Sequence, residues 1–378
     1  MLTLTSLLAE LIRIPSVNPD GEPGTSHTGE AACAAFVGEF LRSLGAEVVL
    51  EEVLPGRPNV IGRFPSDRPG KPKLLFGPHT DTVSVLGMTI DPFGGEIRGG
   101  KIYGRGASDT KGTMAAMLWA FRELGESITK LPYEIHFVGF MSEETAQHGS
   151  IHFAERYGSE YAFAVIGEPT ENKVVHKHKG CLWADITTHG VASHGATPER
   201  GDNAIIRMGR LISALDQDFR IQVREAGGVD PWLGTCSLNL GVISGGSKAN
   251  IVPDYCVLKI DIRSTPNLIE AGGAGGLLKD FVHKVEPNAS VDVFYEAYPL
   301  NTPESHPLVQ ALSKAGNGLA GAPWFCDAAV MSRAGVPSVA AGPGSIAQAH
   351  TKDEWIAISD LEEGVAFYKR FLLDLPQL

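Results

Sequence analysis

The sequence predicts an α/β protein of two domains, one of them built around a mostly parallel sheet. The chain has 378 residues, more than one ordinary hydrophobic core holds, so two domains are the default expectation. Between residues 47 and 167, apolar runs typical of strands alternate with segments of helical periodicity, which favours a parallel sheet covered on both faces. From 181 to 297 the order becomes β-α-β-β-α-β, the ferredoxin-like α+β unit, inserted into the first domain.

Periodicity and stop signals locate the elements of the first domain. Helices are predicted over 3–14, 28–44 and from Asp109 or Thr110 to about Glu123, and Gly45 ends the second of them. Strands are predicted over 47–52, 59–64, 72–78, 133–141 and 161–167. From about residue 300 the chain returns to this domain, with a helix over 306–319, a short strand over 337–341 and a final helix over 360–374.

The inserted domain is expected at 179–293, which leaves 1–178 and 294–378 for the first domain. Its strands are predicted at 181–190, 235–244, 254–263 and 290–297, and its helices at 202–217 and about 277–285. The run from Ala271 to Gly276 contains four glycines, which are costly inside a helix. This run is therefore placed in a loop or a frayed helix start.

Composition and charge exclude several classes of partner. With 43% hydrophobic and 20% charged residues, the chain is typical of globular rather than disordered proteins. The net charge of −12 argues against nucleic acid and against anionic membranes as partners. Neither a membrane-spanning apolar run nor a signal peptide is recognisable. The five cysteines are scattered and odd in number, which favours reduced thiols and a cytoplasmic location.

Histidine and acidic residues directly follow three of the predicted strands. His79 and Asp81 follow the third strand, Glu143 and Glu144 the fourth, and Glu168 the fifth. Because the carboxyl ends of parallel strands meet at one edge of a sheet, these residues are expected to form one site. His79 and Asp81 are two residues apart and share a face of the strand end, so Asp81 can orient the histidine from behind.

Asp109 and His350 extend this set. Asp109 lies where a glycine-rich loop enters a helix, a place where an aspartate is most often an N-cap, although its two oxygens can also bridge two cations. Two adjacent carboxylates, Glu143 and Glu144, would repel at the end of a buried strand unless cations compensate them. Each residue alone has an ordinary structural explanation. Together they predict a hydrolase site for two Zn²⁺, with Co²⁺ or Mn²⁺ as substitutes, held by His79, Asp109 and Glu168 at one cation and by Asp109, Glu144 and His350 at the other.

The motifs around these residues resemble the M20 family of metallopeptidases and deacylases. The matching pieces span nearly the whole chain and are His79-Thr80-Asp81, Gly104–Gly112, Glu143-Glu144, Gly167-Glu168-Pro169-Thr170 and His350. The resemblance implies a zinc-peptidase-like catalytic domain, with Glu143 as the base, and an inserted lid domain that usually also forms a homodimer. It also implies a cis peptide bond after Asp109.

Further site residues come from the same resemblance. His194 resembles the lid histidine that polarises the scissile carbonyl, often from the partner subunit. Asn250 and Arg263 resemble substrate-binding residues, although alone they would be read as a turn residue and a surface charge. Within the family, Asp327 and the Gly344-Ser345 loop are most similar to acetylornithine deacetylases, which usually carry Glu where this chain has Asp327.

The resemblance implies hydrolysis of the amide bond of a small N-acyl-L-amino acid or dipeptide. Water activated by the two cations is the expected nucleophile, and Glu143 is expected to move its proton to the leaving nitrogen. An arginine fork such as that of Arg263 suits the substrate carboxylate. The alternatives are a succinyl-diaminopimelate desuccinylase, a carboxypeptidase or dipeptidase, an aromatic aminohydrolase, and a non-catalytic relative.

Overall fold

The computed structural model describes residues 2–376 and divides the chain into two compact units. The first unit contains the described chain up to His176, then Thr302–Ala320 and the residues from Cys326 onward. The second unit contains Lys177–Asn301 and Gly321–Phe325. It extends past residue 293 because the strand Ser290–Ala297 pairs along its length with Gly180–His189.

The first unit is built on a mixed sheet whose centre is parallel. Glu134–Gly139, Lys73–Pro78, Tyr161–Gly167 and Ser338–Ala340 run parallel to one another in that spatial order. The hairpin of Glu47–Leu54 and Arg57–Arg63 adds antiparallel strands at one side, and Val174–His178 follows at the other. The central strands are buried almost throughout, as expected for strands covered on both faces. The fold class predicted from the sequence is thus confirmed.

Helices cover this sheet and supply its core. They span Leu4–Arg13, Ala31–Ser43, Lys111–Leu124, His148–Tyr157, Pro307–Ala315, Asp327–Arg333 and Ile358–Leu373, with 3₁₀ turns at Gly125–Lys130 and Gly158–Glu160. Phe76 of the central strand lies edge-on to Phe121 and Tyr368 from two of these helices, with ring centroids 5.2 and 6.0 Å apart. This packing places the start of Lys111–Leu124 directly against the strand ends.

The first unit differs from the prediction at several places. The helix predicted over 306–319 ends at Ala315, because the chain passes Asn172 at Gly316 and then forms the strand Leu319–Ala322 beside Val174–His178. A small sheet of Glu96–Arg98, Lys101–Tyr103 and Trp355–Ala357 was not predicted. Strands of three residues are too short to show a period of two.

The second unit is an antiparallel sheet with helices on one face. Its strands lie in the order Ser237–Gly245, Tyr255–Ser264, Gly180–His189, Ser290–Ala297, and Ser193–His194 forms a separate ribbon with Ile251–Val252. The short strand Leu300–Asn301 pairs with Lys177 and His178. The helices are Ala204–Ala214, Arg220–Gly227, Pro266–Glu270 and Ala274–Val285, with a 3₁₀ turn at Pro198–Arg200. Leu182, Ala184 and Ile186 alternate along one strand to face these helices.

The helices of the second unit are longer than predicted. The helix expected at 202–217 continues through a π turn at Leu215–Phe219 into Arg220–Gly227. The glycine run is divided: its first residues form a turn, and the helix begins at Ala274, so Gly275 and Gly276 are helical. Burial of Ala274 and Leu278 in the core compensates for two glycines, each costing about 1 kcal/mol relative to Ala.

No helix within residues 2–376 combines the length and the apolar character that crossing a membrane requires. All five cysteines are buried free thiols.

Candidate active site

Asp109 lies between two histidines from distant parts of the chain. Its Oδ1 atom is 3.1 Å from Nε2 of His79, and its Oδ2 atom is 3.3 Å from Nε2 of His350. The same His350 nitrogen is 3.1 Å from Oε2 of Glu144. His79, Asp109 and Glu144 each offer one atom that could bind a metal ion, and these three atoms lie within 4.8 Å of one another. An aspartate that directs one oxygen toward each histidine has the geometry of a ligand that bridges two cations.

The parallel strands bring these side chains together. His79 directly follows Lys73–Pro78, and its bridge to Phe140 aligns it with the end of the neighbouring strand, where Glu143 and Glu144 follow. Asp109 precedes the helix Lys111–Leu124, and its peptide bond to Thr110 is cis, as the resemblance implied. The Thr110 hydroxyl donates to the main-chain oxygen of Gly167 at 2.7 Å, which ties this helix start to the strand that ends at Glu168.

Asp81 organises the site through main-chain groups. Its own carbonyl oxygen accepts the Nδ1 proton of His79 at 2.9 Å, which leaves Nε2 of that ring for a metal ion. Its carboxylate lies farther from Nδ1, at 3.6 Å. That carboxylate accepts the backbone amide protons of Glu143 and Glu144 at 3.0 and 3.1 Å and the Asn18 side-chain amide at 2.8 Å. Asp81 therefore fixes the turn that carries both glutamates, and the sequence had not singled out Asn18.

The site concentrates acidic groups away from water. Burial and the neighbouring Asp109 carboxylate raise the pKa of Glu144 to about 7. Burial and the neighbouring Glu168 raise the pKa of Glu143 well above its usual range, and burial and Asp109 do the same for Glu168. Without cations, these shifts favour the protonated form of each carboxylate.

The histidines and Asp109 shift in the complementary direction. Hydrogen bonds to Asp109 and Glu144 raise the pKa of His350 to about 10. Burial would lower the pKa of His79, but its bonds to Asp109 and Asp81 prevail and raise it well above the usual value. Burial would raise the pKa of Asp109, yet the two histidines hold it below its ordinary value. The two histidines thus tend to hold protons, and this positive charge offsets the same carboxylates that divalent cations would neutralise.

The donor set fits two divalent cations. Oε1 of Glu144 and Oε1 of Glu168 are buried, and neither has a hydrogen-bond partner among residues 2–376. A carboxylate oxygen without a donor is costly in a dry site, and a bound cation removes that cost. Imidazole nitrogens mixed with carboxylate oxygens are ligands that Zn²⁺ prefers. Glu168 lies outside the tight group of His79, Asp109 and Glu144, although it interacts electrostatically with both His79 and Asp109.

Asp327, a further predicted residue of the first unit, lies near this centre. Asp327 is buried, with Oδ1 accepting hydrogen bonds from Ser150 at 2.6 Å and Gln147 at 3.2 Å. Burial raises its pKa to about 6, and its charge adds to the raised pKa values of Glu143 and Glu168.

The predicted Gly344-Ser345 loop packs onto the loop that carries Asp109. Gly344 has a φ of 83°, and a Cβ atom there would meet the Ser108 hydroxyl at 2.5 Å, so glycine is required for this close approach. The hydroxyl of Ser345 donates to a carboxylate oxygen of Glu171 at 3.0 Å.

The predicted lid residues lie at two places in the second unit. His194 is exposed in the ribbon that pairs with Ile251–Val252, next to Asn250, and its Nδ1 accepts the amide proton of Ala196 at 3.1 Å. Arg263 lies on the main sheet and is already paired. Its Nε and Nη2 atoms donate to the two carboxylate oxygens of Asp261, each at 2.9 Å.

Glu354, a buried residue of the first unit, was not among the predicted site residues. Its carboxylate accepts four hydrogen bonds, from the Arg105 guanidinium and from the backbone amides of Gly106, Ser108 and Asp109. The available signal was a charged residue at the entry to the apolar run Trp355–Ala357, four positions after His350.

Comparisons with known proteins identify the family of this chain. Residues 75–374 match the family model of peptidase family M20/M25/M40. An acetylornithine deacetylase from Proteus mirabilis (strain HI4320) is 31% identical over 376 residues, which cover 95% of this chain and 93% of that protein.

Two solved structures show the same fold at low sequence identity. A tripeptidase from Staphylococcus aureus has a TM-score of 0.77 at 22% identity, with 98% of this chain and 96% of that chain covered. A dinuclear metal binding peptidase of the M20 family from Bacillus subtilis has a TM-score of 0.73 at 13% identity, with 98% and 96% covered. The family model and the deacetylase together establish that this chain belongs to peptidase family M20/M25/M40, a family of metal-dependent hydrolases.

Proposed function

We propose that this protein is a di-metal amidohydrolase that cleaves the acyl group from an N-acyl-L-amino acid, in the manner of a deacetylase. The observation that carries this proposal is the Asp109 carboxylate, which directs one oxygen to His79 and the other to His350 beside Glu143 and Glu144. His79, Asp109, Glu144, Glu168 and His350 would hold two Zn²⁺. Cations bound there would activate water and polarise the amide carbonyl.

Glu143 is the proposed base. It takes a proton from the attacking water and delivers it to the leaving nitrogen, so it must hold that proton between the two steps. Its raised pKa, caused by burial and by Glu168, suits this task. Asp81 holds the main chain of Glu143 in place and thereby limits where its carboxylate can reach.

The substrate carboxylate is proposed to bind Arg263, Asn250 and the Gly344-Ser345 main chain. A planar guanidinium offers two parallel N–H groups to a carboxylate, which is the geometry that Asp261 now satisfies. The substrate must therefore displace Asp261 from Arg263. His194 is proposed to donate a hydrogen bond to the oxyanion that develops on the scissile carbonyl.

We propose that the first unit, predicted as 1–178 with 294–378, is the catalytic domain and that the second unit, predicted as 179–293, is a lid that also forms a homodimer. Among residues 2–376, the strand Ser237–Gly245 pairs along one edge only, with Tyr255–Ser264, and it exposes Val242 and Ile243. Ile205 and Ile206 of the helix Ala204–Ala214 are exposed as well. An apolar edge strand is a liability for an isolated chain, and a second copy of the same strand would cover it.

A mixing experiment tests whether His194 acts across such a dimer. The variants His194→Ala and Glu143→Gln are each expected to be nearly inactive. Coexpression should restore about a quarter of wild-type activity, since random pairing makes half of the dimers mixed and each holds one complete site. If coexpression restores nothing while purification through two different affinity tags recovers mixed dimers, His194 acts within its own chain.

A panel of substrates tests the reaction itself. N-acetyl-ornithine, other N-acetyl amino acids, succinyl-diaminopimelate and several dipeptides are incubated with enzyme plus Zn²⁺ or Co²⁺, with a chelator as control. Release of a free amine from the N-acetyl amino acids supports the proposal if the chelator abolishes it. Turnover of dipeptides alone would assign a peptidase, the activity in the names of both structural neighbours. Turnover of succinyl-diaminopimelate alone would assign a desuccinylase.

We also propose Zn²⁺ as the physiological metal and a cytoplasmic location. The mixed histidine and carboxylate donors support the first, and the five buried free cysteines support the second. Elemental analysis of protein purified without added metal tests the metal. Cell fractionation with an antibody to the protein tests the location.

A further inference from the structure

Glu354 saturates both of its carboxylate oxygens with donors from the loop that carries Asp109. Oε1 accepts the backbone amide protons of Ser108 at 2.8 Å and Asp109 at 2.9 Å. Oε2 accepts the amide proton of Gly106 at 2.9 Å and a guanidinium proton of Arg105 at 2.8 Å. A carboxylate with four donors has no lone pair left for a metal ion or a substrate, so its role is carried out through its neighbours.

The segment that carries Glu354 also carries His350. The main-chain oxygen of Glu354 accepts the amide proton of Gly104 at 3.0 Å, and Trp355–Ala357 then pairs with Lys101–Tyr103. The Arg105 guanidinium also donates to the main-chain oxygen of Thr351, one residue after His350, at 3.2 Å. Glu354 therefore joins the main chains on which Asp109 and His350 stand.

We propose that Glu354 is a positioning residue that fixes Asp109 relative to His350 and thereby sets the metal affinity of the site. This inference rests on the di-metal function proposed above. Within the site, Asp109 must present its two oxygens to two cations at once, so a small rotation of the loop 105–109 would lose one of them. The buried amides of Ser108 and Asp109 both have Glu354 as their acceptor, so the main chain at the proposed bridging carboxylate depends on one side chain for these hydrogen bonds.

The change Glu354→Gln tests this role because it keeps the shape of the side chain. The NH₂ group of glutamine cannot accept a hydrogen bond. Either the amides of Ser108 and Asp109 or the donors of Arg105 and Gly106 would therefore lose their acceptor. The first readout is Zn²⁺ binding to chelator-stripped full-length protein, measured by calorimetry and by competition with a fluorescent chelator. We expect two sites in the wild type and a Kd about 10–100-fold higher for at least one site in the variant.

Asp353→Asn is the matched control. Asp353 stands next to Glu354 on the same segment but accepts its hydrogen bonds from the amide and hydroxyl of Thr89, at 2.7 to 3.1 Å. Its removal should leave Zn²⁺ affinity within about twofold of wild type.

In kinetics, Glu354→Gln should lower kcat and leave KM unchanged, because Glu354 does not touch the substrate.

Glu354→Asp keeps the inference testable if the glutamine variant does not fold. It retains the charge opposite Arg105 but is one methylene shorter, so we expect folded protein with an intermediate loss of Zn²⁺ affinity. Wild-type affinity in folded Glu354→Gln, or in Glu354→Asp if only that variant folds, overturns the inference. Failure of the wild type itself to bind Zn²⁺ would instead overturn the proposed function.

Discussion

Oδ2 of Asp81 accepts the backbone amide proton of Glu144 at 3.1 Å, while its Oδ1 accepts that of Glu143 at 3.0 Å. One carboxylate at the end of a central strand thus positions the proposed base and a proposed metal ligand at the end of the next. The side chain of Asn18 donates to the same carboxylate and completes its set of partners. This arrangement makes Asp81 a structural support of two functions at once.

Replacing Asp81 with Asn should therefore affect both catalysis and metal binding. An amide side chain can accept at only one of its two ends, so the amide proton of Glu143 or Glu144 loses its acceptor. We expect kcat to fall about 10–100-fold, with weaker Zn²⁺ binding. Asp67→Asn serves as the control, because Asp67 is a carboxylate outside the site that pairs with Lys71. Equal kcat values for the two variants would contradict the role assigned to Asp81.

The adjacent residues Glu143 and Glu144 should separate chemistry from metal binding. Glu143→Gln is expected to keep two Zn²⁺ per chain and to lose at least about 100-fold in kcat, since a general base contributes that much. Glu144→Gln should lose metal, because the buried carboxylate 3.1 Å from His350 is the proposed ligand. Metal content measured by mass spectrometry, together with kcat, distinguishes them. The assignment is wrong if Glu143→Gln is fully active or if Glu144→Gln retains both metals tightly.

Metal binding should release protons. The protein alone holds protons on His350, with a pKa of about 10, and partly on Glu144, with a pKa of about 7. Both groups bind cations only when deprotonated, so Zn²⁺ affinity should increase as the pH is raised from about 6 to about 8. Calorimetry at pH 7 in buffers of different ionisation enthalpy measures the protons released. A binding heat that is independent of the buffer would contradict this prediction.

Arg263 and Asp261 should act on substrate affinity in opposite directions. Arg263→Met removes the fork proposed for the substrate carboxylate and should raise KM by roughly 10–100-fold. Asp261→Asn removes the group that now competes for that fork, so it should lower KM. An uncharged amide analogue of the substrate is the control, since neither variant should change its KM. Parallel changes for the acid and its amide would exclude Arg263 as the carboxylate site.

His136 should make stability depend on pH below neutrality. Burial lowers its pKa from the ordinary 6.5 to about 4, and its Nδ1 shares a hydrogen bond of 2.9 Å with the Tyr161 hydroxyl. The unfolded chain therefore takes up a proton at a higher pH than the folded protein does. The free energy of unfolding is highest above pH 6.5 and decreases as the pH falls toward 4. The loss is about 3 kcal/mol for a shift of this size. Urea unfolding from pH 7 to 4 should show a shallower decline in His136→Phe, and identical slopes would refute the prediction.

Much of the fold and the acidic site could be predicted because they depend on local pattern. The alternating apolar strands and helices showed the parallel sheet, and parallel strands bring their carboxyl ends to one edge whatever the loops do. His79, Asp81 and the pair Glu143-Glu144 directly follow such strands, so their neighbourhood follows from strand order. The short strand Trp355–Ala357 could not be predicted, because three residues carry no detectable period and its partner Lys101–Tyr103 lies far away in the chain.

The sequence by itself determined the residue types, the alternation of elements and the strand-end positions of the acidic groups. Tertiary structure alone decided which oxygen of Asp109 faces which histidine and that Glu354 holds the loop of Asp109. It also decided that Arg263 is paired with Asp261. The physical reason is that secondary structure repeats along the chain with a short period, whereas a hydrogen bond between residues about 245 positions apart depends on packing that no local pattern records.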